Sequence, residues 1–479
     1  MPPMSWSGRI FEETMHMPAG PPAESAEPEH AGGAGGAAPA LQDPLAIVRT
    51  RGYVAVLVIS ALLGVPISAA AFGFLALVSE LQKLVYDDLP KTLGFHGTPD
   101  WWAVPLLAVA GVLVALTIHH LPGSGGHKPA EGFKTGGTPS AAALPGVVLA
   151  AIASLSLGVV LGPEAPLIAL GGGLAVGAVR LLKRDAPPSA VAVIGAAGSF
   201  AAISELLGSP LVGAFLLMEA TVLGGPMMGV VLVPGLLSAG VGSLTLTGLG
   251  TWTGLGTYSL ALTHVPPAGR PTFGEFAWAI LAGALAALLG EAIRRTSLSL
   301  QDLVERHRLP LTVLMGAATG LIALLYAVLT DRPATGVLFS GQDALGPLLA
   351  DSATYTAATL VALLVCKALA YCTSLSAFRG GPVFPALFVG AAGGLGLSHL
   401  PGLGTTAGFA IGVGAMAVAM LKLPMTSVLL ASLLLGTEGL DVMPLVIVAV
   451  VVAYVGTLRL ARRPAAPHGA GPQPATPAP

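Results

Sequence analysis

The sequence predicts an all-α protein that crosses a membrane many times, arranged as an inverted-topology repeat of tilted and re-entrant helices. Three observations carry this. Hydrophobic residues make up 54% of the 479 residues and charged residues 10%, with mean hydropathy +0.81, whereas a soluble domain carries about 25% charged residues. Apolar stretches near 20 residues, enough to cross a bilayer, recur along the chain. Finally, one phrase occurs twice. Gly162-Pro163-Glu164-Ala165-Pro166, followed by Gly171 and Gly177, returns as Gly381-Pro382-Val383-Phe384-Pro385, followed by Gly390 and Gly396, at a constant offset of 219 (381 minus 162). About forty residues on, Pro210-Leu211-Val212-Gly213 and Pro424-Met425-Thr426-Ser427 open a second related phrase in each copy. Gly/Pro breaks at matching places in two apolar halves are the sequence sign of a transporter whose site lies where interrupted helices meet.

The elements follow in order. Residues 1–45 are rich in Ala, Gly, Pro and Glu and read as a disordered tail. Spans are expected over 54–78, 102–118, 190–207, 230–249, 276–293, 311–328, 357–375 and 444–458. Glycine, 64 residues in all, lets their backbones approach closely. Segments 166–177, 210–220, 385–396 and 424–435 are bounded by Pro or Gly and are short for a crossing, so they read as half-length or re-entrant helices. The membrane domain covers 46–463, in halves 46–250 and 270–463 joined by a Pro/Gly-rich link, and 464–479 read as a second disordered tail. Arg49 and Arg51 precede the first span, and Arg459, Arg462 and Arg463 follow the last, so both termini are expected on the cytoplasmic side; the membrane is expected to be a bacterial plasma membrane. A net charge of −2 gives no basic surface for nucleic acid.

Three breaks are expected to be loop-to-helix junctions: Leu121-Pro122-Gly123-Ser124-Gly125-Gly126-His127, the Glu164 phrase, and Arg379-Gly380-Gly381-Pro382-Val383-Phe384-Pro385. Pro166 and Pro385 suit a helix's first turn, where an N–H has no partner to lose. Such starts inside a membrane present free N–H groups and a positive dipole end to anions. Glu164 is the acid that only one copy carries, and an acid within the membrane is functional by default.

These three breaks, in this order, resemble the motifs GSGIP, G(K/R)EGP and GxFxP of the CLC family of chloride channels and chloride/proton antiporters. The resemblance covers residues 46 to 463. It implies chloride, or another small anion, as the transported species, with protons as a possible counter-substrate, and a homodimer embedded in lipid. Ser124 matches the serine that donates to the central anion, with Gly123 and Gly125 around it. Glu164, framed by Gly162 and Pro166, matches the gating glutamate, which occupies an anion position when ionised and swings away when protonated. Backbone amides at Val383 and Phe384, framed by Gly381 and Pro385, correspond to the donors of the third helix start. No cofactor and no metal are implied.

The departures from the pattern have consequences. Pro163 stands where the family carries a cation, Pro382 cannot donate an N–H, and the motif phenylalanine is Val383, with Phe384 beside it. The internal glutamate of proton-coupled members falls on Ala220, with Glu219 one residue earlier as a residue on a proton pathway. No apolar helix follows Tyr454-Val455-Gly456 to supply the inner-gate tyrosine. Anion transport of a channel-like or weakly proton-coupled kind is therefore expected, ahead of proton-coupled antiport of chloride or fluoride. An intramembrane serine hydrolase built on Ser124 with His119, His120 or His127 is the remote alternative; these residues share one short loop with no orienting acid. Cys366 and Cys372 read as small buried hydrophobes, Lys367 as a snorkelling or paired residue, and Glu205 as structural.

Overall fold

The structure, a computed structural model, describes residues 47–133, 138–221, 227–253 and 260–461. Both predicted tails, and Arg462 and Arg463, lie outside the described residues. Among those described, nine helices are long and apolar enough to cross a membrane and five more are shorter. In chain order they are α1 (Arg51–Lys83), α2 (Ala103–His120), α3 (Leu144–Ser156), α4 (Glu164–Leu182), α5 (Pro188–Leu207), α6 (Pro210–Ala220) and α7 (Met227–Thr253). A second series of seven follows: α8 (Phe273–Arg306), α9 (Arg308–Thr330), α10 (Ala357–Ala377), α11 (Val383–Ser398), α12 (Thr405–Leu421), α13 (Pro424–Leu434) and α14 (Glu438–Leu460).

Local chemistry sets these boundaries. The Thr50 hydroxyl accepts from the Tyr53 N–H at 3.1 Å and caps α1. Gly208 ends α5 in the left-handed region (φ 59°), Ser209 caps α6, and Pro210 opens it. Thr272 and Glu275 form a reciprocal capping box at the start of α8.

Packing repeats between the series. Helix α4 lies on α5 as α11 lies on α12, and α1 lies on α7 as α8 lies on α14. In the α4–α5 and α11–α12 pairs the contacts are glycine to glycine. A Cβ at Gly171 would strike the Gly198 carbonyl and one at Gly198 the Gly171 carbonyl; Gly390 and Gly412 stand in the same relation. Within a membrane, close backbone approach supplies the association that a hydrophobic force supplies in water.

Three expectations need correction. The 166–177 segment belongs to the 19-residue α4, which starts at Glu164 and is long enough to cross. Helices α3 and α12 form as separate elements beyond the expected spans and half-length segments. The first break does not start a helix: Gly123, Ser124, Gly125 and Gly126 all have positive φ (89°, 53°, 69° and 95°), a run no right-handed helix tolerates. Among the described residues between this break and α3, the helical element is a three-residue 3-10 turn, Pro129–Glu131.

Candidate functional site: the crossing of the two breaks

The second and third breaks meet at their repeat-equivalent glycines. Gly162 N–H donates to the Gly381 carbonyl at 2.8 Å, and Gly381 N–H donates back at 2.6 Å. The bonds beyond this exchange are reciprocal too. Val160 N–H donates to Ser374 Oγ on α10 (3.1 Å), and Arg379 N–H donates to Ser154 Oγ on α3 (3.3 Å). Positions 160 and 379 differ by the same 219. Each half thus satisfies buried backbone donors of the other, a requirement where no water can do so.

Glu164 is the first residue of α4 and is buried. Its Oε1 accepts from the Phe384 N–H at 2.9 Å, at the start of α11. The other oxygen has no hydrogen-bond partner among the described residues. A Cβ at Gly162 or Gly381 would fall on the carboxylate, so both positions need glycine for the acid to lie across the crossing. Pro382 cannot donate, and the amide that reaches the acid is the one two residues further on. The Tyr371 hydroxyl, missed in the sequence because it is one aromatic in an apolar helix, donates to the Pro382 carbonyl at 2.7 Å and holds the break against α10. Val383, Phe384 and Pro385 are buried in the first turn of α11.

Cavities flank this crossing. One, of about 930 Å³, is lined by Leu161 and Pro163, with Lys83, Asp87 and Asp100 on its wall. The other, of about 310 Å³, is lined by Ala165 and Pro166 and, from the other elements, by Gly125, Arg379, Gly380 and Pro382. Glu164 therefore sits in sequence between residues facing different cavities, with its carboxylate on the amide of the opposite half.

The first break joins this arrangement only in part. Gly123 and Gly125 line the smaller cavity, whereas Ser124 is exposed and absent from its wall. What Ser124 contributes is its carbonyl, which accepts from Arg379 Nε at 3.2 Å. No hydrogen bond links Ser124 to a histidine among the described residues; His127 Nε2 contacts the Gly132 carbonyl and His120 Nδ1 the Leu116 carbonyl. Glu219 lies at the other paired phrase. Its carboxylate accepts from Met425 N–H (3.0 Å), Thr426 N–H (2.8 Å) and Thr426 Oγ1 (2.7 Å), capping α13. Lys367 is fully buried, which rules out snorkelling, and its Nζ donates to the carbonyls of Leu338 (2.7 Å) and Phe339 (3.1 Å) on the wall of the larger cavity. Glu205 is buried beside Ser68 and Gly242, with no hydrogen-bond partner meeting ordinary geometry among the described residues.

Comparison with known proteins agrees with this architecture. A slow cyanobacterial Cl−/H+ antiporter matches over 85% of this chain and 95% of its own, with TM-score 0.67 and 19% identity. A CLC-type fluoride/proton antiporter matches over 84% and 95%, with TM-score 0.61 and 18% identity. At those identities the likeness speaks for the fold. A protein of Escherichia fergusonii named "Putative ion-transport protein YfeO" is 30% identical over 347 residues, 71% of this chain and 78% of its own length. A protein of the same name from Escherichia coli O139:H28 is 30% identical over 349 residues. The profile described as "Voltage gated chloride channel" matches residues 106–457. With that match over most of its length and the paired helix breaks meeting at Gly162 and Gly381, the chain belongs to the voltage-gated chloride channel (CLC) family of membrane transport proteins.

Proposed function

We propose that this protein carries small anions, chloride foremost, across the bacterial plasma membrane, and that Glu164 gates the path. The single observation that carries this is the Phe384 N–H to Glu164 Oε1 bond, made by a residue whose sequence neighbours Pro163 and Ala165 line different cavities. An ionised carboxylate accepts that N–H and competes with an anion for it. A protonated one has lost its charge, and the amide becomes available to an anion. The sign follows: lowering pH should raise anion flux, and raising pH should close the path. In liposomes, Glu164→Gln should give high flux that no longer responds to pH. A Gln variant with wild-type flux and an intact pH response would remove Glu164 from the gate.

Coupling to protons is read as absent or weak. The internal glutamate position is Ala220, and the contacts of Glu219 support capping of α13 over proton carriage. Antiport is the second reading, favoured by the antiporters among the structural matches. Recording chloride and proton movement together decides: chloride efflux with no proton counterflow supports the first, a fixed stoichiometry the second. For Ser124, its place in the chain between Gly123 and Gly125, which line the smaller cavity, supports a part in anion passage through its loop rather than its hydroxyl. The protein is read as a homodimer with both termini cytoplasmic.

A further inference from the structure

The halves use positions 160 and 379 for the same backbone task, yet their side chains differ. Both N–H groups donate to a serine of the opposite half. Val160 is apolar and fully buried, while Arg379 puts a guanidinium at the same place in the repeat, 5% exposed and on the wall of the smaller cavity. The framework therefore works without a cation there. Of the five N–H donors of a guanidinium, Nε serves the Ser124 carbonyl (3.2 Å) and one Nη1 hydrogen the Phe378 carbonyl (3.1 Å). The rest have no hydrogen-bond partner among the described residues, and no described carboxylate lies within ion-pair distance. The charges that act on it are Arg308, Glu305 and Glu131. Both acids are engaged by Lys128, at 2.5 Å and 4.0 Å. A buried charge is kept only when something neutralises or solvates it.

We propose that Arg379 holds a small monovalent inorganic anion at the wall of the smaller cavity, at a position separate from the Phe384 amide that Glu164 occupies. The anion is the direct counter-charge that no described carboxylate supplies within ion-pair distance. Gly125 shapes the site: its φ of 69° suits glycine, and a Cβ there would press on Ile118, Ala150 and the Arg379 stem. The sequence places no cation at 163, beside the acid. The second half supplies one instead, on the other cavity. The site rests on the transport reading for its purpose, though not for its chemistry.

The test uses the full-length protein in detergent, with chloride titrated calorimetrically and bromide located by anomalous scattering. The expected result is bromide within hydrogen-bonding distance of the guanidinium. Arg379→Gln should weaken chloride binding about tenfold or more, the size expected for a lost charge-assisted hydrogen bond, and Arg379→Lys should retain part of it. Folded Arg379→Gln that binds chloride with wild-type affinity overturns the site. So does bromide found only at the Phe384 amide, or at neither place. Should Arg379→Gln fail to fold, the bromide position in wild type and the Arg379→Lys affinity decide. Liposome flux separates the two proposals: normal chloride flux with a bare Arg379 sinks the site alone, and bromide on Arg379 with no flux sinks the transport reading alone.

Discussion

At the crossing, two glycines leave room for one carboxylate, and the consequences can be measured residue by residue. In Gly381→Ala the new methyl group occupies the place of the Glu164 carboxylate. Overpacking of this kind costs about 2 kcal/mol, and the acid should be displaced from the Phe384 amide. The expected outcome is a lower melting temperature together with raised flux at neutral pH, approaching that of Glu164→Gln; reduced flux would show that the acid does not leave. A second test concerns strain away from the path. Lys422 ends α12 in the left-handed region (φ 60°), at the place where the first half has Gly208 (φ 59°). It is exposed, so Lys422→Gly should stabilise by about 0.5–1 kcal/mol, seen as a small rise in melting temperature with flux unchanged.

At the scale of elements, glycine contacts and opposed caps hold the repeat together. Gly390→Leu must push α11 from α12, because the Gly412 carbonyl stands where its side chain would begin. A loss of about 3 kcal/mol or more is expected, against a far smaller change for the same substitution at Gly393, whose Cβ would meet only the Leu364 methyl groups at ordinary contact. Glu219→Ala removes the acceptor for two backbone N–H groups and a hydroxyl at the start of α13. It should cost about 2 kcal/mol and leave the ratio of protons to anions unaltered; an altered ratio would restore Glu219 to a proton pathway. Much of this level was legible in the sequence. Helix α6 follows its Pro-to-Ala bounds, and α13 its Pro start, because proline and the residue before it fix a helix start locally. Helices α3 and α12 were not legible as elements, since their 13 and 17 residues are merely apolar and small. The first junction misled for another reason. Its glycines suggest a helix approach, and only the backbone reveals four residues of positive φ in succession.

For the whole molecule, the repeat was readable from its offset, and so was the acid that breaks it. The base that breaks it in the opposite half carries no such signal in the sequence, because its meaning depends on which position of the other half it faces. Val160 and Arg379 can be compared only once both are seen donating to serines across the crossing. The acid belongs to the first half and leans on an amide of the second; the guanidinium belongs to the second and leans on a carbonyl of the first. Neither half could be replaced by a copy of its sibling without losing one of these charges. The paired main-chain bonds between Gly162 and Gly381 bear on how such a machine moves. Halves stitched backbone to backbone at their centre are poor candidates for rocking apart, so passage should depend on one short side chain turning about its own bonds. Such a turn is a local event, far quicker than the swing of a whole domain, and cross-linking the halves to each other should leave it free.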